Sequence, residues 1–135
     1  MLFKSLKLSS VQLHELTELQ QNIQNSKLKE ILKNAIETWK EQKVIRATFG
    51  IAFNNENEII PLPCGCCLIG ASLVGTTTKA TDFLKAAIEK YNLSEEEFKE
   101  IYKAFDKSYW SASESEINTE LTKEVNEIRK IVFGE

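Results

Sequence analysis

The chain has 135 residues, 42% hydrophobic and 27% charged, with a formal net charge of −3 and a pI near 5.4. This length suits a single domain over residues 1–135 and is too short for two of ordinary size. The acidic balance argues against nucleic-acid binding, which requires a surplus of Lys and Arg on one face. The longest apolar run is about half of the ~20 residues that cross a bilayer, so no membrane partner is expected.

The first part of the chain predicts an antiparallel pair of helices. Ser9 and Gln12 have the spacing of a capping box, which marks the start of helix one. Helix two is the clearest in the sequence, because its apolar residues recur at helical spacing and form a broad stripe. Those residues are Leu28, Ile31, Leu32, Ala35, Ile36 and Trp39. A short break at Asn25 and Ser26 joins the two helices.

The composition and the hydrophobic pattern of the sequence change after Lys43. Val44–Phe53 is rich in β-branched and aromatic residues and lacks a helical period, and a run of Asn and Glu at 54–57 indicates a turn. A second short extended run follows at Glu58–Leu62. These features predict a small β-hairpin at about 44–62, with Pro61 and Pro63 blocking one edge. The competing interpretation continues helix two as far as Phe53.

The centre of the chain is apolar and carries every cysteine. Cys66–Gly75 contains no charged residue, although the flanking sequence is rich in Lys, Glu, Asn and Gln. We predict that Cys64–Val74 forms a short buried helix around which the rest of the fold packs. Thr76–Thr78 follows this helix and could offer backbone amides to an anion, although close helix packing and an N-cap explain the same residues.

Three further helices are predicted after residue 80. The first runs from about Ala80 to Tyr91, and capping boxes at Ser94–Glu97 and Ser113–Glu116 start the other two. The last helix ends at Gly134, and its apolar face either seals the monomer or pairs with a second copy. The predicted fold is therefore mainly α (α+β): a compact single domain of five or six helices, with the small hairpin and a buried Cys-rich central helix.

The three cysteines allow three interpretations. Cys64 or Cys66, if placed at a helix N-terminus, could be a reactive thiol, since the helix dipole lowers thiol pKa. Cys64, Cys66 and Cys67 together could bind a soft metal ion, although a zinc site normally has four ligands. The lone His14 is the one histidine that could serve as a base or a fourth ligand. Free cysteines are most often small core residues, and this interpretation is favoured for Cys66 and Cys67.

The expected function is a small soluble non-catalytic binding or regulatory protein that acts through a protein or small-ligand contact. No paired carboxylates, nucleophile–base pair or phosphate loop can be assembled from the sequence. Tyr109 and Trp110 are the candidate binding residues, because aromatic side chains dominate binding hot spots. The alternative is a thiol-dependent enzyme or redox sensor that uses Cys64 or Cys66. A protein partner or homodimer, no cofactor and a cytoplasmic location complete the expectation.

Overall fold

The computed structural model describes residues 5–46, 48–106 and 119–134. Within these residues it contains six helices and one two-stranded antiparallel sheet, as the sequence predicted. The elements in chain order are α1 (Ser10–Asn22), α2 (Ser26–Trp39), β1 (Ile51–Phe53), β2 (Ile59–Pro61), α3 (Leu68–Leu73), α4 (Phe83–Tyr91), α5 (Glu95–Asp106) and α6 (Glu120–Phe133). None of the described helices has both the length and the hydropathy needed to cross a bilayer.

Two of the three predicted capping boxes are confirmed. At the start of α1 the Gln12 amide donates to Ser9 Oγ at 3.1 Å, and the Ser9 amide donates to Gln12 Oε1 at 2.9 Å. Ser94 and Glu97 exchange the same pair of hydrogen bonds, at 3.0 and 2.9 Å, before α5. The third box, Ser113 and Glu116, lies outside the described residues. The described helix α6 begins later than predicted, with Thr119 as its N-cap.

The hairpin lies within the predicted segment and is shorter. Ile51 pairs with Pro61, Ala52 with Ile60 and Phe53 with Ile59. The turn depends on Asn54, whose Oδ1 accepts from the amides of Glu56 and Glu58 at 2.8 and 3.0 Å. This side chain replaces backbone hydrogen bonds that the reversing chain cannot make. The alternative of a helix two extended to residue 53 is wrong, because α2 ends at Trp39.

The central helix is buried, as predicted, but shorter than Cys64–Val74. All six residues of α3 are buried, and Cys67 is its N-cap. Cys66 precedes the helix because its backbone pairs with the chain after α2: its amide donates to Lys43 O at 2.9 Å, and its carbonyl accepts from Ile45 at 3.2 Å. Because the amide and the carbonyl of Cys66 are already used in these bonds, Cys66 cannot also be part of the helix. The prediction that Cys64 or Cys66 begins the helix is therefore corrected to Cys67.

The core forms where α2 and α3 meet. Trp39 is fully buried, and its indole N–H donates to the carbonyl of Cys66 at 3.1 Å. The Thr38 hydroxyl donates to the carbonyl of Ala71 at 2.7 Å, so α2 also satisfies the C-terminal half of α3. The two bonds hold α3 against α2, the first just before the helix and the second at Ala71, whose carbonyl also accepts from the amide of Val74 at 3.4 Å.

Helix α6 closes the other side of the core. Its inward face is buried within the chain, and consists of Leu121, Val125, Ile128 and Val132. Two polar contacts hold it in place. Gln12 Nε2 donates to the carbonyls of Ile131 and Val132 at 3.0 and 3.2 Å, and Glu124 accepts from the amides of Gln24 and Asn25 at 2.6 and 3.2 Å. The apolar face of the last helix therefore packs against its own chain.

Candidate functional site

The three thiols have three different environments. Cys64 is exposed, whereas Cys66 and Cys67 are buried. Cys66 Sγ donates to the carbonyl of Gly50 at 3.4 Å, and Cys67 Sγ accepts from the amide of Gly70 at 3.4 Å. Cys64 Sγ donates to the carbonyl of the next residue, Gly65, at 3.6 Å. The Cys67 thiol thus caps the start of α3, whereas the Cys66 thiol bonds to the segment that leads into β1.

Burial makes the thiols of Cys66 and Cys67 weaker acids, which lowers their reactivity. Loss of solvation raises the pKa of Cys66 to about 11, and the adjacent Cys64 adds to the effect. Burial also raises the pKa of Cys67 to about 12, against the lowering effect of hydrogen bonds from the amides of Gly70 and Ile69. The thiolate is the form that attacks and that binds metals. Both buried thiols are therefore protonated at neutral pH.

The described residues offer no ready partner for metal or nucleophilic chemistry. Within residues 5–46, 48–106 and 119–134, no three His, Cys, Asp or Glu side chains form a group that could hold a metal ion. His14, the candidate base, lies exposed on α1, where its Nε2 is 3.2 Å from a carboxylate oxygen of Glu18. Tyr109 and Trp110, the predicted binding residues, lie outside the described residues, so their role stays a prediction.

A cluster of five aromatic rings, which the sequence placed in separate elements, joins the hairpin to α4 and α5. Its members are Phe49, Phe53, Phe83, Phe98 and Tyr102, with ring centroids of neighbouring members 4.8 to 6.2 Å apart. Phe83 opens α4 and contacts two rings on the hairpin side, at 5.7 and 4.8 Å. The cluster therefore sets the position of α4 relative to the hairpin.

An open groove lies beside the far end of α4, and we call it the threonine groove. Its volume is about 440 Å³. One wall is the chain that leaves α3, and the other is the C-terminal half of α4. The lining residues are Val74, Gly75, Thr76, Thr77, Thr78, Ala86, Glu89 and Lys90.

Backbone pairing with the hairpin holds the first wall of the threonine groove. The amide of Ile59 donates to the carbonyl of Thr76 at 2.8 Å, and the amide of Thr78 donates to the carbonyl of Asn57 at 3.1 Å. The amide of Thr76 donates to the carbonyl of Leu73 at 3.0 Å. Two of the three threonine amides are thus already used. The anion site that the sequence suggested through these backbone amides is not available at Thr76 or Thr78.

Lys90 and Tyr91 hold the second wall against α3. Lys90 Nζ donates to Thr76 Oγ1 at 2.7 Å and to the carbonyl of Ser72 at 3.3 Å. The Tyr91 hydroxyl donates to the same carbonyl at 2.8 Å and accepts from Asn34 Nδ2 at 2.9 Å. Partial burial lowers the pKa of Lys90, while the charge of Glu30 acts in the opposite direction. Burial raises the pKa of Tyr91.

Nothing in the local sequence distinguishes Lys90 from an ordinary surface lysine. It lies next to the apolar stripe of α4, among other charged residues, and its role depends on Thr76, which is 14 positions earlier in the chain. The threonine run was the one signal in this region that sequence reasoning identified. It pointed to backbone amides, whereas the structure presents the side chains.

Comparisons of the chain with protein-family models, with curated proteins and with solved structures find no match.

Proposed function

We propose that this protein is a small non-catalytic binding or regulatory protein that holds a small ligand in the threonine groove. The observation that carries the proposal is the groove itself. Its volume of about 440 Å³ falls within the range of about 300–1,000 Å³ typical of small-molecule sites. Apolar atoms of Val74 and Ala86 lie in the same lining as threonine hydroxyls and two charged groups. Small-ligand sites commonly combine an apolar surface with a few polar groups that orient the ligand.

The walls of the groove support binding because they are fixed before any ligand arrives. The threonine segment is hydrogen-bonded to the hairpin, and Lys90 is hydrogen-bonded to both Thr76 and the end of α3. At the other end of α4, Phe83 is held in the aromatic cluster. A preformed site loses less conformational entropy on binding than a flexible one. The three free cysteines support the cytoplasmic location that forms part of this proposal.

The proposal is tested by filling the groove without touching its charged residues. Thr77 lines the groove and is exposed, so Thr77→Trp should occupy the ligand volume while the fold is retained. Thr81→Trp is the matched control, because Thr81 is also exposed but does not line the groove. Both variants and the original protein are screened by ligand-observed NMR against a library of small polar metabolites, with circular dichroism as the check on folding.

We expect ligands that bind the original protein and Thr81→Trp but not Thr77→Trp. Bound ligand should also raise the melting temperature, since a ligand at about a hundred times its Kd stabilises the folded state by about 2.7 kcal/mol. If no library member binds, or if every binder is unaffected by Thr77→Trp, the groove is not a ligand site and the proposal is wrong.

The alternative, a thiol-dependent enzyme or redox sensor, is supported by the exposure of Cys64. Burial raises the pKa of Cys66 to about 11, which favours Cys64 as the thiol of this alternative. A sensor requires that Cys64 react with hydrogen peroxide faster than free cysteine does, and that Cys64→Ser remove the reaction. A rate equal to that of free cysteine would identify Cys64 as an ordinary surface thiol and exclude this alternative.

A further inference from the structure

The ammonium group of Lys90 faces the threonine groove with incomplete compensation of its charge. Its two hydrogen-bond partners, Thr76 Oγ1 and the carbonyl of Ser72, are both neutral. Among the described residues no carboxylate forms an ion pair with it, and Glu30 acts on it only through its more distant charge. Lys90 as a whole residue is exposed, and the centroid of the neutral Tyr91 ring lies 5.5 Å from its Nζ. The groove therefore presents a positive charge that an anion would stabilise.

The hydrogen-bond inventory of the groove leaves donors in excess. An ammonium group has three N–H donors, and Lys90 uses two of them within the protein. Thr76 Oγ1 accepts from Lys90, and Thr78 Oγ1 accepts from the amide of Ala80 at 3.0 Å. In the part of the chain that the structure describes, no acceptor takes the hydroxyl proton of either threonine. Three donors on adjoining walls are thus left for an acceptor-rich ligand.

We infer that the threonine groove binds the oxyanion group of its ligand, a carboxylate or a phosphate, through Lys90 and the hydroxyls of Thr76 and Thr78. This inference rests on the proposed function, because it names the chemical class of the ligand for the same groove. Charge-assisted hydrogen bonds to an oxyanion are shorter and stronger than neutral ones. The oxyanion compensates the Lys90 charge and accepts the remaining protons.

Glu89 lines the same groove and opposes anion binding by like-charge repulsion. It is adjacent to Lys90 on α4, so the two side chains offer a matched pair of substitutions with opposite expected effects. Lys90→Gln removes the positive charge, and Glu89→Gln removes the negative charge with little change of size. A second variant, Lys90→Arg, retains the charge and separates loss of binding from loss of the contact with Ser72.

The experiment is a ¹H–¹⁵N NMR titration with inorganic phosphate and, separately, with acetate, at constant ionic strength. We expect resonance shifts confined to the segments around Thr76–Thr78 and the end of α4. Lys90→Gln should weaken binding by about tenfold or more, which is the usual scale for a charge-assisted hydrogen bond. Glu89→Gln should strengthen binding by about two- to threefold, and Lys90→Arg should retain it. Binding of phosphate but not acetate would identify a phosphate ligand, and the reverse would identify a carboxylate.

Two results would overturn the inference. In the first, neither anion shifts the groove resonances; in the second, the two Gln variants change affinity equally, as expected for non-specific surface binding. These results are distinguishable from failure of the proposed function. If the library screen finds neutral or cationic ligands that Thr77→Trp excludes, the groove remains a binding site and only the oxyanion inference is wrong.

Discussion

Alanine substitutions at three glycines separate the cost of backbone conformation from the cost of steric contact in this fold. Gly75 has a φ of +87°, and a Cβ atom there would meet nothing within 4 Å. Gly70 lies in α3, without a positive φ, and its Cβ would lie 2.0 Å from the carbonyl oxygen of Phe49. Gly50 combines both features, with a φ of +69° and a Cβ position 1.6 Å from the carbonyl oxygen of Gly65.

The expected magnitudes follow from these distances. Gly75→Ala should lower the free energy of unfolding by about 1–2 kcal/mol, the cost of a left-handed backbone for a residue with a side chain. Gly70→Ala must displace a backbone carbonyl, and overpacking costs about 1–3 kcal/mol. Alanine recovers about 1 kcal/mol of helix propensity there. Gly50→Ala carries both costs, about 2–5 kcal/mol in all, which is a large part of the total stability of a small domain.

The assay is urea unfolding of the three variants, followed by circular dichroism and by tryptophan fluorescence. Gly50→Ala should be the most destabilised by a clear margin, and a failure of this variant to fold while Gly75→Ala folds agrees with the expected order. If Gly50→Ala is no less stable than Gly75→Ala, the backbones at Gly50 and Gly65 are not in contact. The packing of the cysteine segment against the start of β1 would then be wrong.

Three further predictions concern the thiols, an ion pair and the seating of α6. Cys64 should be the single thiol alkylated rapidly in the native protein at pH 8. Burial raises the pKa of Cys66 to about 11 and that of Cys67 to about 12, so about a thousandth or less of either thiol is thiolate at that pH. Detection of a second rapidly alkylated thiol by mass spectrometry would contradict this prediction. A backbone N–H at the start of α5 and the ammonium of Lys27 lower the pKa of Glu97 from its ordinary value of 4.5. The ionised Glu97 therefore stabilises the fold above pH 4.5, and this contribution is lost as the pH falls through the lowered pKa. Glu97→Gln should reduce the slope of the unfolding free energy against pH in that range. An unchanged slope would refute the lowered pKa of Glu97. Glu124→Ala should destabilise the protein by about 1–2 kcal/mol in urea unfolding, because it leaves two amides of the α1–α2 turn without their acceptor, whereas the exposed Glu127→Ala should change little.

The elements that the sequence predicted well are those whose signals are local. The apolar stripe of α2 repeats at helical spacing within the helix itself, and the capping boxes at Ser9 and Ser94 span four residues each. Such signals depend on residues that are neighbours in the chain as well as in space. The short hairpin was predicted for the same reason, since the Asn54 turn is contained within the segment that reverses.

The length of the central helix depended on contacts that sequence patterns do not show. Cys64–Val74 has the composition of a buried helix, and the low charge of the segment is accounted for by its burial. Its first part instead pairs with Lys43 and Ile45, so the helix begins only after Cys67. A partner distant in the chain decided between two conformations that the local sequence allows equally.

At the candidate site, too, the local features were predictable from the sequence and the contacts between distant residues were not. The sequence by itself determined the helical faces, the helix starts and the burial of the cysteine segment, because these follow from spacing and apolar character. Only the tertiary structure decided that Thr76 meets Lys90 and that the hairpin holds the threonine segment beside α4. A threonine and a lysine on the surface have no periodicity that marks them. Their chemistry arises from the packing of α3, α4 and the hairpin, which brings distant polar groups to one groove and leaves their remaining hydrogen-bond donors facing it.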